Sequence, residues 1–228
     1  MKIACFLYPQ FTSIDMIGPI TAWNFVPGVE FEFIAATKGP VVTDTGLAFV
    51  ATHDFNDMSA NPDVVFVPGG GLPTFEALQD EALLAAIART GQQAQWVTSV
   101  CTGSLLIGAA GLLTGYRSAC HWYPRAWLGK FGATPDDGRV VIDRNRASGG
   151  GVTAGLDFGL RMAAEWGGEA AGRLIELTME YAPEPPFGCG RPELADQETL
   201  AMARGMMESL MPESLVDQAA QRLKAAAR

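Results

Sequence analysis

Residues 97–111 read VTSVCTGSLLIGAAG, in which four apolar or small residues run into a cysteine and a second run of small and aliphatic residues follows. A short continuous apolar run predicts a buried strand, here residues 95–100, and the longer run predicts a helix over residues 102–110. Cys101 then occupies a tight strand-to-helix turn, the arrangement called a nucleophile elbow. This turn predicts an α/β fold with a functional thiol at the edge of its sheet.

The position of Cys101 predicts a reactive thiol. A cysteine that faces the N-terminal end of a helix has its thiolate stabilised by the helix dipole and by free N–H groups. We therefore expect the Cys101 side chain to be exposed and readily ionised. The alternative is a cysteine that only packs in the core, because free cysteine is among the most buried residue types.

The rest of the chain alternates predicted strands and helices. Strands are expected at residues 2–7, 30–36, 40–42, 47–51, 63–67, 118–121, 139–143 and 146–148, and helices at 15–25, 74–89, 124–131, 152–165, 168–181, 198–211 and 214–227. Such alternation predicts a mostly parallel sheet with helices on both faces. The loops at 8–14 and 68–71 should then meet the Cys101 turn beyond the carboxyl ends of the strands. We expect one domain over residues 1–228, with an extended arm at 182–196 inside a C-terminal helical extension over about 183–228.

Composition narrows the class of protein. The 228 residues are 48% hydrophobic and carry a formal net charge of −9, without a basic cluster, so nucleic-acid binding is not expected. No apolar run approaches the roughly 20 residues of a membrane span. The four cysteines are scattered and form no CxxC pair, so we expect no metal site, and without a secretion signal we expect reduced thiols in the cytoplasm.

Three motifs together resemble a known superfamily. They are VVFVPGGG at 64–71, VTSVCTGSLLIGAAGLLTGYRSACHW at 97–122 and ASGGGVTAGLDFGL at 147–160, and YPQFTSIDMIGP at 8–19 and LTMEYAPEPPF at 177–187 agree with them. The chain is similar, from about residue 2 to about residue 190, to the ThiJ/PfpI superfamily of the class I glutamine-amidotransferase-like folds, and within it to the branch that hydrates isocyanides. The resemblance implies a flavodoxin-like sheet, a homodimer, a nucleophilic Cys101 and an acidic partner at Asp15.

The resemblance also implies a reaction. The Cys101 thiolate adds to the terminal carbon of an isocyanide while Asp15, in its protonated form or by relay from the thiol, delivers a proton. Asp15 as a carboxylate then activates water, and the thioimidate is hydrolysed to an N-substituted formamide. The Thr102 hydroxyl is expected to hold water or the substrate nitrogen, and no cofactor or metal is needed. Proteolytic members carry a histidine directly after the cysteine, so Thr102 argues against a protease. Asp15 has a second interpretation, which is that it caps the helix at 15–25.

Further residues are candidates for the pocket. Gly69 and Gly70 are expected to donate N–H groups to an anion or oxyanion, and the resemblance implies that Gly150 and Val152 border the site. His121 either orients or deprotonates the thiol, or is a structural residue.

Two rival functions use the same cysteine: a glyoxalase or deglycase activity, and a redox-sensing or regulatory ligand-binding role. An ordinary α/β domain with a buried cysteine is the third alternative.

Overall fold

A mostly parallel sheet forms the centre of the computed structural model, which describes residues 1–226. The strands are β1 (Lys2–Phe6), β2 (Glu30–Ala35), β3 (Gly39–Val42), β4 (Ala48–Ala51), β5 (His53–Asp54), β6 (Val64–Val67), β7 (Trp96–Val100), β8 (Arg117–Ser118), β9 (Thr134–Pro135), β10 (Val140–Asp143) and β11 (Arg146–Gly149). Seven of them form one sheet in the order β10-β11-β7-β6-β1-β2-β5, in which only β10 runs antiparallel to its neighbour. The predicted α/β architecture is confirmed.

The helices lie in two groups around this sheet. They are α1 (Ser13–Trp23), α2 (Leu72–Ala77), α3 (Glu81–Gly91), α4 (Gly103–Ala109), α5 (Ala154–Gly167), α6 (Glu169–Thr178), α7 (Gln197–Leu210) and α8 (Glu213–Ala226), with a 3-10 helix at Arg125–Phe131. Helices α1, α5 and α6 pack together, as do α3, α4 and α8. Residue 227, the last position of the predicted final helix, lies outside the described residues. Within the described range, no helix is both long enough and apolar enough to cross a bilayer.

The single helix predicted over residues 74–89 is wrong, because the chain forms α2 and α3 with a turn between them. Asp80 is the N-cap of α3, and its carboxylate accepts a 3.0 Å hydrogen bond from the Leu83 N–H. The preceding Gln79 is held by distant residues: its amide donates to the Leu215 carbonyl and accepts from Arg222. Tertiary contacts with α8 therefore stabilise a turn in a segment whose apolar pattern is helical throughout.

The strand predicted over residues 118–121 is also wrong beyond its first residue, since β8 ends at Ser118. The Ala119 N–H donates a 2.8 Å hydrogen bond to the side-chain oxygen of Ser148 instead of to a strand carbonyl. The antiparallel pair β3–β4 and the hairpin β10–β11 are confirmed.

Close packing between α1 and α5 brings their N-terminal ends to the same edge of the sheet. A Cβ atom on Gly159 would lie 2.8 Å from the Pro19 Cα, so the helices approach at a distance that only glycine permits. The indole of Trp23 donates a 3.1 Å hydrogen bond to the Gly159 carbonyl and fixes the register of the pair. This contact sets Asp15, in the first turn of α1, close to the residues that precede α5.

Candidate active site

Cys101 lies at a strained turn between β7 and α4. Its φ is +58°, a value that few non-glycine residues adopt and that often marks functional sites. Its N–H donates to the carbonyls of Gly150, at 2.8 Å, and Gly149, at 3.1 Å, which ties the turn to the end of β11. The geometry of a nucleophile elbow is therefore present at Cys101.

The expectation of an exposed, readily ionised thiol is wrong. Cys101 is only 3% exposed, and burial raises its pKa well above the ordinary value, with a further increase from the negative charge of Asp15. The N–H groups of Val152 and Thr102 act in the opposite direction but do not outweigh burial. The resting state that this environment favours is the neutral thiol.

Asp15 is a fully buried carboxyl group beside the Cys101 thiol. Its Oδ2 accepts a 2.9 Å hydrogen bond from the Gly69 N–H, whereas Oδ1 is buried and has no hydrogen-bond partner within residues 1–226. Burial raises the pKa of Asp15 to about 8, against the opposing effects of the Gly69 N–H and the Cys101 thiol. Asp15 makes no capping bond within α1, so the capping interpretation is wrong. At neutral pH the carboxyl is largely protonated and can donate a proton.

The glycine-rich loop after β6 lies directly against the elbow. A Cβ atom on Gly69 would lie 2.5 Å from the Thr102 nitrogen and 2.8 Å from the Cys101 Cβ. The Gly70 N–H donates a 2.8 Å hydrogen bond to the Thr102 hydroxyl. The same hydroxyl donates a 2.8 Å hydrogen bond to the Gly70 carbonyl oxygen. The N–H groups of Gly69 and Gly70 are thus already bound to Asp15 and Thr102, and the Thr102 hydroxyl is engaged with the loop.

A cavity of about 250 Å³ borders this cluster. Val152 connects the cavity to the Cys101 cluster, because it lines the cavity and directs its N–H toward the Cys101 sulfur. Its φ of +32° is unusual for a β-branched residue, which indicates that the surrounding contacts hold this segment in place. The other lining residues come from 120–122, 125, 137–139, 150–154 and the arm at 190–193.

His121 lies on the wall of this cavity, packed against Gly151, where a Cβ would be 2.8 Å from the imidazole Cδ2. Burial, with the nearby charge of Arg125, lowers the pKa of His121 to about 4, so the imidazole is neutral at pH 7. The groups that shift the Cys101 pKa are Asp15, the Cys120 thiol and the two backbone N–H groups, and His121 is not among them. This geometry favours a structural or pocket-lining residue over a base for the thiol.

The sequence patterns did not single out two residues of this site. Cys120 lines the cavity and lies close enough to Cys101 for its charge to raise the Cys101 pKa. Arg125 lines the cavity from the start of the 3-10 helix. Cys120 lies within the motif at 97–122 and Arg125 just after it, but the sequence assigns neither a role, and only their position in the fold brings them to the cavity. Among residues 1–226, no group of three or more His, Cys, Asp or Glu side chains is arranged to hold a metal.

The fold and the site define a class of protein: a mostly parallel α/β protein with a cysteine at a strained elbow beside a buried carboxyl from α1. Residues 1–165 match the model of the DJ-1/PfpI family, and the chain belongs to this family. The resemblance drawn from the motifs is thereby confirmed.

Two proteins are similar over most of the chain. The isonitrile hydratase of Pseudomonas putida is 41% identical over 204 residues, which cover 90% of this chain and 89% of that protein. The crystal structure of a ThiJ/PfpI family protein from Pseudomonas syringae superposes with a TM-score of 0.92 at 40% identity, and covers 96% of this chain and 90% of that one. A helix-turn-helix-type transcriptional regulator of Pseudomonas aeruginosa is 34% identical over 185 residues, 77% of this chain but only 50% of the regulator.

Proposed function

We propose that this protein is an isonitrile hydratase, which adds water to an isocyanide to give an N-substituted formamide. The observation that carries the proposal is the buried pair of Asp15 and Cys101, in which a protonated carboxyl, whose Oδ1 has no hydrogen-bond partner within residues 1–226, lies against a thiol. The 41% identity to the Pseudomonas putida isonitrile hydratase supports the substrate class.

In the first half of the reaction, the Asp15 carboxyl protonates the terminal carbon of the isocyanide, which carries a lone pair. The sulfur of Cys101 adds to the same carbon, and the thiol proton passes to the Asp15 carboxylate. A carbon–hydrogen and a carbon–sulfur bond form while the carbon–nitrogen triple bond becomes a double bond. The product of this half is a thioimidate, R–N=CH–S–Cys101, and Asp15 is again protonated.

In the second half, Asp15 donates its proton to the thioimidate nitrogen and, as a carboxylate, accepts a proton from the attacking water. The tetrahedral adduct R–NH–CH(OH)–S–Cys101 collapses to R–NH–CHO, and the sulfur leaves. The departing sulfur carries negative charge until it recovers the hydroxyl proton. The N–H groups of Thr102 and Val152 are positioned to stabilise that charge.

The remaining residues of the site position this pair. Gly69 holds Asp15 through its N–H, and the hydroxyl of Thr102 holds Gly70, so the loop cannot move without disturbing the acid. Gly150 anchors the elbow by accepting the Cys101 N–H. His121 contributes a neutral wall to the cavity.

The test is turnover of an aryl isocyanide, with formamide detected by mass spectrometry and the thioimidate sought as an adduct on the intact chain. Cys101→Ala should abolish both signals, and Asp15→Asn should lower turnover at least 100-fold, the lower end of the range typical of general acid–base catalysis. Cys189→Ser, at the exposed free cysteine, is the matched control and should turn over like the wild type. Equal turnover by Cys101→Ala would exclude covalent catalysis by this residue.

Turnover of methylglyoxal by the same preparation tests the glyoxalase or deglycase alternative. A redox-sensing role calls for an exposed thiolate, which the burial and the raised pKa of Cys101 disfavour. Stoichiometric oxidation of Cys101 by peroxide, without turnover of either substrate, would support that role instead.

We also propose that the protein acts as a homodimer. Helix α7 buries none of its residues, and Met202 and Met206 are 71% and 62% exposed on it. Leu177 and Phe187 add exposed apolar surface on α6 and the arm. Apolar surface of this kind marks contacts between proteins. Light scattering after size exclusion should give twice the monomer mass, and Met202→Lys with Met206→Lys should lower it.

A further inference from the structure

Within residues 1–226, Arg125 is a half-buried cation without a protein partner. Arg125 lines the cavity beside the elbow, and its side chain makes no ion pair and no hydrogen bond with any residue of that range. The other two arginines of the cavity wall are engaged: Arg139 donates to Asp157 at 2.7 Å, and Arg191 pairs with Glu193 at 3.0 Å. Arg125 is therefore the cation of this wall that is free to bind a ligand.

The charge of Arg125 acts on the inner wall of the cavity. Two buried neighbours respond to it, since its positive charge lowers the pKa of both His121 and Cys120. Cys120 in turn influences Cys101. Cys101 and Asp15 do not line the cavity themselves, but Val152 lines it and directs its N–H to the Cys101 sulfur, and Arg125 lies beside Cys120 on the same wall.

The other charged groups of the wall do not neutralise Arg125. Glu193 is already paired with Arg191, and the exposed Asp137 lies too far from Arg125 to form an ion pair with it. His121 is neutral at pH 7 and adds no charge. Among the described residues, Arg125 thus presents an unpaired positive charge to a cavity that also has the carboxylate of Asp137 on its wall, in a chain whose formal net charge is −9.

A planar guanidinium matches a carboxylate with two parallel hydrogen bonds, and such charge-assisted bonds are stronger than neutral ones. The volume of about 250 Å³ is below the roughly 300–1,000 Å³ of pockets for drug-sized ligands, so the ligand is small. We propose that the substrate is a small isocyanide that carries a carboxylate, which Arg125 binds while the isocyano group reaches Cys101. This inference rests on the proposed hydratase function and names the substrate class of the same site.

The test compares isocyanoacetate with methyl isocyanoacetate, which share one skeleton and differ in charge. For the wild type, kcat/KM for the carboxylate should exceed that for the ester at least tenfold, as a charge-assisted hydrogen bond allows. Arg125→Gln should reduce this ratio to about one, and Arg125→Lys should retain part of it. Arg204→Gln removes the same charge from the exposed surface of α7, and the ratio should not change.

A second measurement is independent of turnover. Calorimetry should show that N-formylglycinate binds at least tenfold more tightly than N-formylglycinamide, and that Arg125→Gln removes the difference. Turnover of both isocyanides without a carboxylate preference, or a preference that survives in Arg125→Gln, overturns the inference and leaves the hydratase function standing. If neither isocyanide is turned over, the hydratase function fails, and calorimetry alone decides whether Arg125 binds a carboxylate.

Discussion

Replacing Gly69 by alanine tests whether the contact between the glycine loop and the elbow positions the acid. The new Cβ would lie 2.5 Å from the Thr102 nitrogen and 2.7 Å from its hydroxyl oxygen. To restore an ordinary contact of about 3.4 Å, the loop must withdraw by about 0.9 Å. That movement stretches the 2.9 Å bond from the Gly69 N–H to Asp15, and so displaces the carboxyl from the thiol. Overpacking of this kind costs about 1–3 kcal/mol of folding stability.

A misplacement of about 1 Å costs roughly 100-fold in rate, so kcat for isocyanide hydration should fall by about that factor in Gly69→Ala. Urea unfolding in parallel separates this loss from unfolding of the chain. Gly205→Ala on the exposed helix α7 is the control, because its Cβ would meet no heavy atom of the described residues within 4 Å and its backbone is helical. If Gly69→Ala kept the activity and stability of the wild type, the positioning role assigned to this contact would be refuted.

Three further predictions concern protons and hydrogen bonds around the same pair. The Asp15 carboxyl has a pKa of about 8 in the fold but about 3.9 unfolded, so its contribution to stability is complete below about pH 4 and is lost as the pH rises through about 8. Between those pH values, the free energy of unfolding of Asp15→Asn relative to the wild type should rise by up to about 1.4 kcal/mol per pH unit, as urea unfolding would measure. A difference between the two proteins that does not change with pH would contradict this. The kcat/KM for an isocyanide should be level below about pH 8 and fall above it as Asp15 ionises, whereas a rate that rises with pH would indicate attack by a pre-formed thiolate. Thr102→Val should lose about 1–3 kcal/mol of stability by leaving the Gly70 N–H unpaired, and Thr102→Ser should recover most of it, as urea unfolding would show.

The parallel sheet could be predicted because its strands are short runs of apolar or small residues, such as VVFV at 64–67 and WVTSV at 96–100, that burial on both faces explains. The turn between α2 and α3 could not. It depends on hydrogen bonds from Gln79 to Leu215 and Arg222, 136 and 143 positions away in sequence. The apolar periodicity of residues 74–89 carries no information about these long-range hydrogen bonds.

The site, like the fold, could be predicted where local sequence decides it and not where distant residues do. A cysteine between a buried strand and a helix of small residues predicts a nucleophile elbow. The loop that ends at the same edge of the sheet brings Asp15 close to Cys101. The local pattern also predicted an ionised thiol, because it includes the helix dipole but not the burial around the sulfur. Arg125 is identifiable only when the partners of Arg139 and Arg191 are known, since all three are ordinary arginines in sequence.

Burial of Cys101 is compatible with the proposed chemistry because of the order in which the protons move. A pre-formed thiolate in this site would carry the full desolvation cost that raises its pKa. An isocyanide is neutral, and its carbon accepts a proton as the sulfur adds, which a carboxyl with a pKa of about 8 can supply at neutral pH. The thiol adds in the same step as its own proton passes to Asp15, so no separate ion pair forms in the buried site. The same burial that disfavours a free thiolate keeps Asp15 protonated, and the pair therefore suits an acid-assisted addition to a neutral substrate.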